Sequence, residues 1–441
     1  MEGTLFLPVG PLRGVTRVPG DKSISHRAVL LGAVNAGPVE VTGFLRSADT
    51  LATVRAARAL GVTVEEHGPG GEDLTVHGLG WEGLREPVDI IDVCNAGTLI
   101  RLLPGLLAST DMFCVLTGDE SIRRRPMARV LEPLALMGAS TWARGGGRLP
   151  PAALCGGRLH GIEYTMPVAS AQIKSCLILA GLRADGVTVI HEPGPSRDHT
   201  ETMVRYGGAQ VQREGDPLGA GNTIVHPLPG DLNLGPIAVP GDFSSAAFLL
   251  VAALLVPGSR LTVDRVGLNP TRTGLVQALE AMGARVRVVV EDVAGPEPLG
   301  SLTTSQQELT AVDIGPDLVP LMIDEVPIWA LAAARARGIS RLRGASELRV
   351  KESDRLAATA ELLRALGVRV KEVEDGLDIE GRPEGWTRGM VRSRADHRLA
   401  MVGAVAGLAS DEGVEVDDAA CMSVSFPDFA ATIRSVSTPG R

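Results

Sequence analysis

The chain has 441 residues, and 52 acidic against 43 basic side chains give a formal net charge of −9 at pH 7. This excess of acid disfavours nucleic acids and anionic membranes as partners. The length predicts two domains, each large enough for a core of its own. Five scattered cysteines without a Cys-x-x-Cys pair argue against a structural zinc site and against a disulfide framework, so we expect a cytoplasmic protein.

The most informative segment lies at residues 19–27, with the sequence Pro-Gly-Asp-Lys-Ser-Ile-Ser-His-Arg. An apolar run follows at once, so this polar cluster lies where a helix begins. Free backbone N–H groups at a helix N-terminus, together with Lys22, Ser23 and Arg27, favour a phosphate or a carboxylate. The alternative is an ordinary serine-capped helix with surface charges.

The start of that segment recurs half a chain later as Pro-Gly-Asp-Phe-Ser at residues 240–244. The second copy has Phe243 where the first has Lys22. The two copies therefore share the Pro-Gly-Asp turn, but the residues suited to binding an anion occur only in the first. A finer repeat consists of helical patterns that end in a large residue followed by glycine, at Gly61, Gly138, Gly207, Gly283 and Gly367. These patterns predict six repeats of about 70 residues, three in each half; coincidental helix ends in an ordinary α/β chain are the alternative.

Polar clusters also precede apolar helices elsewhere in the first half. Residues 95–98 read Asn-Ala-Gly-Thr, and three arginines at residues 123–125 precede Pro126. A helix beginning at that proline would place Arg125 at its N-terminus, whereas the alternative is a solvated arginine loop.

Residues 170–175 and 196–201 open the next two predicted helices. Serine and threonine caps explain part of each cluster, but capping does not require Gln172, Lys174 or Arg197.

In the second half, two adjacent acids at residues 324–325 lie in an apolar context, where carboxylates need a partner. Residues 347–355 alternate in charge, and as a helix they would place Lys351 and Arg355 on one face. A salt-bridged surface is the alternative for this run. Residues 396–398, Asp-His-Arg, then enter another apolar helix.

Nearly all these clusters fall at junctions between a loop and a helix of a repeated unit, so we expect them to converge on one site. The acids expected there are Asp324 and Glu352. The expected cations are Lys22, Arg27, Arg125, Arg197, Lys351, Arg355 and Arg398. Such a site suits ligands with several negative charges.

Together, these motifs resemble the 5-enolpyruvylshikimate-3-phosphate synthase family, from Leu7 to about Phe429. The resemblance implies an α/β, two-domain enolpyruvyl-transferase fold, an inside-out α/β barrel in which each domain has three βαββαβ-type repeat units. It also implies one domain at residues 21–240 and a second at residues 1–20 and 241–441, with crossovers near Gly20 and Pro240.

The implied reaction transfers the enolpyruvyl group of phosphoenolpyruvate to the 5-hydroxyl of shikimate 3-phosphate and releases phosphate. By this resemblance, the residues that would hold shikimate 3-phosphate are Lys22, Ser23, Arg27, Ser170, Ala171, Gln172, Arg197, Asp324 and Lys351. Those that would hold phosphoenolpyruvate are Lys22, Gly97, Arg125, Gln172, Arg355 and Arg398. We expect Asp324 and Glu352 to move protons with help from Lys22, domain closure on ligand binding, a monomer, and no metal or organic cofactor.

One position departs from part of the family, in which a lysine precedes a Phe-Pro-Asp near the C-terminus by two residues. This chain has Val424 there, so one phosphate-side cation cannot be carried over. Gly97 is the glycine, not the alanine of some glyphosate-tolerant relatives, and we expect glyphosate to compete with phosphoenolpyruvate. Two alternatives are a UDP-N-acetylglucosamine enolpyruvyl transferase, although the arginine loop lacks its reactive cysteine, and a catalytically dead anion-binding protein.

Overall fold

The computed structural model describes residues 3–291, 295–386 and 388–438, which form two compact units. The first half is Gly20–Val239 with Ala294–Glu297, and the second half is Met1–Pro19, Pro240–Val293 and Pro298–Arg441. Each half has its own hydrophobic core, built almost wholly from aliphatic side chains.

The N-terminal segment contributes two strands to the second half, β1 (Thr4–Phe6) and β2 (Arg13–Thr16). The elements of the first half follow in chain order: α1 (Lys22–Ala33), β3 (Pro38–Thr42), α2 (Ala48–Ala59), β4 (Thr63–His67), β5 (Asp73–His77), β6 (Ile91–Asp92), α3 (Leu99–Leu107), β7 (Phe113–Thr117), α4 (Ala128–Leu136), β8 (Ser140–Ala143), the short turn α5 (Arg144–Gly147), β9 (Leu149–Cys155), β10 (Glu163–Thr165), α6 (Ala171–Gly181), β11 (Thr188–Glu192), α7 (His199–Tyr206), β12 (Val211–Gly215), β13 (Gly221–Val225) and β14 (Ile237–Ala238).

The second half continues with α8 (Phe243–Leu255), β15 (Arg260–Gly267), α9 (Gly274–Ala281), β16 (Arg287–Glu291), β17 (Leu299–Ser305), β18 (Asp313–Ile314), α10 (Val326–Ala333), β19 (Ile339–Leu342), α11 (Arg355–Ala365), β20 (Arg369–Val373), β21 (Gly376–Glu380), β22 (Gly389–Val391), α12 (His397–Leu408), β23 (Val414–Val416) and α13 (Phe429–Val436). Short 3-10 helices lie at Ile122–Arg124, Val319–Met322, Ser346–Val350 and Ala420–Val424.

Within the described residues each half holds three sheets, and five of the six repeat one pattern of four strands. In the sheet β6-β7-β9-β8, for example, the first pair is parallel and the next two pairs are antiparallel. The sixth sheet has three described strands, β1-β23-β22. Strand β14 completes the first sheet of the first half, whereas β1 and β2 complete sheets of the second half.

The first helix of each repeat lies inside its half. Every residue of α3, α8, α10 and α12 is buried, as is typical of a helix that is apolar on all sides. In α1 and α6 only the first two residues are not buried. Those four positions are Lys22, Ser23, Ala171 and Gln172, so the inner helices of the first half bring predicted site residues to the surface at their N-termini.

The predicted fold class is confirmed, and the structure refines the order inside a repeat. A complete repeat runs βαβαββ, since both helices come before the closing antiparallel hairpin, whereas the resemblance implied a βαββαβ type.

The predicted helix-ending glycines have left-handed backbone after α2, α4, α9 and α11, while after α7 this role falls to Gly208. In the described part of the chain, no helix is long and apolar enough to cross a membrane.

Candidate active site

The N-terminus of α1 places Lys22 beside a carboxylate. The Asp21 side chain caps the helix by accepting a hydrogen bond of 2.9 Å from the backbone N–H of Ile24. Lys22 therefore begins the helix, and its Nζ lies 3.4 Å from Oδ2 of Asp49, a buried residue in the first turn of α2. Sequence reasoning missed Asp49, which lies 27 residues from Lys22 in the chain.

Arg27 is buried, with 4% of its surface exposed, and hydroxyl groups surround it. Its Nε donates to Thr200 (2.7 Å) and its Nη2 to Ser175 (2.8 Å), and these two hydroxyls are hydrogen-bonded to each other at 2.6 Å. Burial lowers the pKa of Arg27 to about 10, because a charge without water is disfavoured, although Glu201 and other acids oppose the shift. The guanidinium thus stays charged at neutral pH. Sequence reasoning missed both hydroxyl partners.

The imidazole ring of His26 is neutral near pH 7. Its ring is buried, with Nδ1 2.6 Å from the hydroxyl of Thr53. Burial, followed by the positive charges of Lys22 and Arg27, lowers the pKa of His26 to about 3. A neutral His26 makes Lys22 and Arg27 the cations of this helix.

Gly97 leaves room for Arg125. A Cβ added at Gly97 would lie 2.4 Å from Nη1 of Arg125 and 3.2 Å from Nη1 of Arg101. Arg125 is half-buried, whereas the other arginines of its loop, Arg123 and Arg124, are exposed. The structure therefore brings together Gly97 and Arg125, two residues that were expected to hold phosphoenolpyruvate.

The start of α6 is built as the sequence indicates. Ser170 caps the helix through the backbone N–H of Ile173, and Ala171 and Gln172 are half-buried in its first turn. Arg197 is half-buried just before α7, close enough to Arg27 for its charge to oppose the charge of that guanidinium.

Lys174 belongs to a buried ion cluster. Its Nζ lies 2.6 Å from Oε1 of Glu201 and 3.0 Å from Oε2 of Glu192, and all three side chains are at most 3% exposed. Burial would lower the pKa of Lys174, but the two carboxylates outweigh it and raise that pKa. Lys174 therefore forms ion pairs inside the protein, and these pairs, not helix capping, account for a lysine at this position.

In the second half, Arg355 joins three carboxylates, and only 2% of it is exposed. Its Nη1 donates to Asp324 (3.0 Å), its Nη2 to Glu352 (2.7 Å) and its Nε to Asp396 (2.8 Å). Burial works against the charge, but the three carboxylates outweigh it and raise the pKa of Arg355. Two predicted proton carriers thus share one cation, and the third carboxylate is an addition from the structure.

Asp396 also organises the start of α12. Its Oδ1 accepts from the backbone N–H of Arg398 at 3.0 Å, while the Nη2 of Arg398 lies 3.5 Å from Oδ2 of Asp324. Burial raises and Arg355 lowers the pKa of Asp396, with a net shift downward. The four side chains Asp324, Arg355, Asp396 and Arg398, together with Glu352, form what we call the Arg355 cluster.

The expected helical face of Lys351 and Arg355 is wrong. A 3-10 helix ends at Val350, Lys351 is extended, and α11 begins at Arg355. Asp354 starts α11 by capping the backbone N–H of Ala357, which ends any helical continuity with the preceding residues. Lys351 is half-buried.

The position of the missing family lysine is structured. Val424 ends the 3-10 helix that begins at Ala420 and is half-buried.

Comparison with known proteins agrees with this architecture. Residues 7–433 match the family model described as EPSP synthase (3-phosphoshikimate 1-carboxyvinyltransferase). The chain is 49% identical to 3-phosphoshikimate 1-carboxyvinyltransferase from Acidiphilium cryptum, over 97% of this chain and 95% of that protein. It is 50% identical to the protein of the same name from Halorhodospira halophila, over 98% and 96% of the two chains.

Solved structures give the same result. EPSP synthase from Acinetobacter baumannii superposes with a TM-score of 0.88 at 40% identity, covering 99% of this chain and 98% of that chain. The enolpyruvyl transferase NikO from Streptomyces tendae is 20% identical with a TM-score of 0.78, covering all of both chains, and shares the fold. The chain therefore belongs to the EPSP synthase family.

Proposed function

We propose that this protein transfers the enolpyruvyl group of phosphoenolpyruvate to the 5-hydroxyl of shikimate 3-phosphate and releases phosphate. The observation that carries the proposal is that α1 and α6 are buried except for their first two residues, which are partly accessible. Lys22 and Gln172 lie in these first turns, and the N–H groups of a helix N-terminus favour an anionic substrate. The Arg355 cluster supplies carboxylates that could move protons.

In this proposal, the first half holds most of shikimate 3-phosphate. The buried Arg27 gives a fixed cation, since among the described residues its hydrogen bonds go to the hydroxyls of Thr200 and Ser175 and to a backbone oxygen, and not to a carboxylate. The residues proposed to bind this substrate are Lys22, Ser23, Arg27, Ser170, Ala171, Gln172, Arg197, Asp324 and Lys351.

Phosphoenolpyruvate is proposed to bind Lys22, Gly97, Arg125, Gln172, Arg355 and Arg398. Gly97 matters through its missing side chain, which lets Arg125 approach the backbone. Arg355 already donates to three carboxylates, so a ligand carboxylate would compete with one of them for its N–H groups. Glu352 is the most exposed of the three, with 27% of its side chain accessible, and is the partner we expect to yield.

The proposed chemistry is addition followed by elimination. In the addition, the 5-hydroxyl loses its proton and attacks C2 of phosphoenolpyruvate, while C3 gains a proton to become a methyl group. In the elimination, that methyl group loses a proton and the C2–O bond to phosphate breaks. We assign these transfers to Glu352 and Asp324, assisted by Lys22. Positioned acids and bases of this kind typically contribute ~10²–10⁴-fold.

Phosphate release tests the function directly. The purified protein is given phosphoenolpyruvate with either shikimate 3-phosphate or UDP-N-acetylglucosamine. Release that requires shikimate 3-phosphate supports the proposal, whereas release with the sugar nucleotide assigns the chain to the other transferase. Saturable binding of shikimate 3-phosphate without release would indicate a catalytically dead binding protein.

Isosteric variants test the proton carriers. Glu352→Gln and Asp324→Asn should bind both substrates and lose turnover by ~10²-fold or more. Glu361→Gln, on the exposed side of α11, is the matched control. Full turnover in a Glu352→Gln protein that binds both substrates would remove Glu352 from the mechanism.

We further propose that glyphosate competes with phosphoenolpyruvate, that the protein is a cytoplasmic monomer, and that residues 21–240 and the remainder of the chain are its two domains. Inhibition by glyphosate that does not depend on phosphoenolpyruvate concentration would count against a shared site. Light scattering across a concentration series measures the oligomeric state.

A further inference from the structure

We infer that Glu297 is a positioning residue for shikimate 3-phosphate, because it holds the first turn of α7 through His199. The inference rests on the proposed function. Glu297 follows β16 and precedes β17, two strands of the second half, yet it is part of the compact first half.

The contact between the two side chains is short and buried. Nδ1 of His199 donates to Oε1 of Glu297 at 2.7 Å, and each side chain is 2% exposed. The hydroxyl of Thr202 lies 3.4 Å from the same oxygen. Within the described part of the chain, Nε2 of His199 has no hydrogen-bond partner, so the bond to Glu297 fixes the orientation of the ring.

The local sequence holds the carboxylate in place. Glu297 lies between Pro296 and Pro298, and each proline ring restricts the backbone of its own residue. The residue before a proline is restricted as well, so little backbone freedom is lost when Glu297 is held against α7. A negative charge at the first turn of a helix is also favourable.

The first turn of α7 leads directly to Arg27. Thr200, the residue after His199, accepts from Nε of Arg27 and is hydrogen-bonded to Ser175, which accepts from Nη2 of Arg27. A rotation of this turn would therefore move the Thr200 hydroxyl, which accepts from the guanidinium and is hydrogen-bonded to the Ser175 hydroxyl of α6. The charge of Glu297 also supports the protonated form of Arg27 against burial.

The experiment measures binding of shikimate 3-phosphate alone, by titration calorimetry, together with the melting temperature and steady-state kinetics. Glu297→Ala and His199→Leu remove the bond, whereas His199→Asn keeps a donor near the position of Nδ1. Because a misplaced positioning group costs up to ~10²-fold, we expect the first two variants to weaken binding about tenfold, and His199→Asn to bind within about threefold of the unmodified protein. Glu308→Ala, an exposed carboxylate, is the control.

The double variant distinguishes a positioning role of the Glu297–His199 pair from a general effect on protein stability. If the pair acts as a unit, the double variant Glu297→Ala/His199→Leu binds no more weakly than either single variant, and KM for shikimate 3-phosphate rises more than kcat falls. A lower melting temperature with unchanged binding, additive effects, or equal losses in His199→Asn and His199→Leu would overturn the inference. If the unmodified protein does not bind shikimate 3-phosphate, the proposed function fails, and the inference fails with it.

Discussion

A methyl group at Gly97 is expected to damage use of phosphoenolpyruvate without damaging the fold. The added Cβ of Gly97→Ala would lie 2.4 Å from Nη1 of Arg125, where van der Waals contact begins near 3.4 Å. The guanidinium must therefore retreat by about 1 Å. The backbone of Gly97 does not have positive φ and the obstacle is the end of a flexible side chain, so the variant should fold.

The magnitude follows from that displacement. A shift of about 1 Å in a substrate-positioning group can cost up to ~10²-fold, so we expect kcat/KM for phosphoenolpyruvate to fall about 10- to 100-fold. This range corresponds to about 1.4–2.7 kcal/mol of transition-state stabilisation. KM for shikimate 3-phosphate should change by less than about threefold, because the proposed ligands of that substrate are not displaced.

The assay is steady-state phosphate release with each substrate varied in turn, beside thermal melting. Gly37→Ala is the matched control, since an added Cβ there meets no atom within 4 Å and the backbone does not have positive φ. Unchanged kcat/KM for phosphoenolpyruvate in a folded Gly97→Ala protein would refute the placement of Arg125 at that substrate. An equal rise in KM for both substrates would refute the assignment of Gly97 to one of them.

Three further predictions concern stability and the Arg355 cluster. Gly105→Ala should lower the free energy of unfolding by about 2–4 kcal/mol in a denaturant titration, because its Cβ would lie 2.2 Å from the backbone oxygen of Cys176, and an unchanged midpoint would contradict this packing. His26 binds a proton in the unfolded chain below about pH 6.5 but in the folded protein only near pH 3. The free energy of unfolding should therefore decrease as the pH is lowered through that window, by about 2 kcal/mol between pH 7 and pH 5. His26→Gln should flatten that slope, and an equally steep slope would show that other groups cause it. Asp396→Asn should lower kcat by ~10-fold or more through Arg355 and cost about 1–3 kcal/mol of stability, whereas a fully active and equally stable variant would show that Glu352 and Asp324 suffice.

Much of the first half of the site could be predicted from local sequence. Asp21 caps α1, Ser170 caps α6, and the residues that follow each cap are the accessible ones, because a cap and an apolar run together define where a buried helix surfaces. Asp49, Ser175 and Thr200 could not be predicted as site partners. They come from three different helices, α2, α6 and α7, and no local pattern joins them to Lys22 or Arg27.

Charge patterns were the least reliable guide. The alternating run before Arg355 indicated one helix, but Asp354 caps a new helix there and Arg355 turns to three carboxylates that are 3, 31 and 41 residues away in the chain. In the sequence, Lys174 lies in a polar cluster near the start of a helix, as the candidate ligand-binding lysine Lys22 does. In the structure, its Nζ forms ion pairs with Glu192 and Glu201 instead.

Local sequence was enough to predict the family, the repeated α/β architecture and the points where the inner helices begin, since caps, glycine ends and apolar runs act between near neighbours in the chain. Which charged groups are paired, which are buried and neutral, and which remain available to a substrate became clear only from the folded chain. Glu297 shows the reason. Whether its carboxylate serves the surface or a site depends on a residue 98 positions away, and burial and pairing energies are set by distances in space that spacing in the chain does not encode.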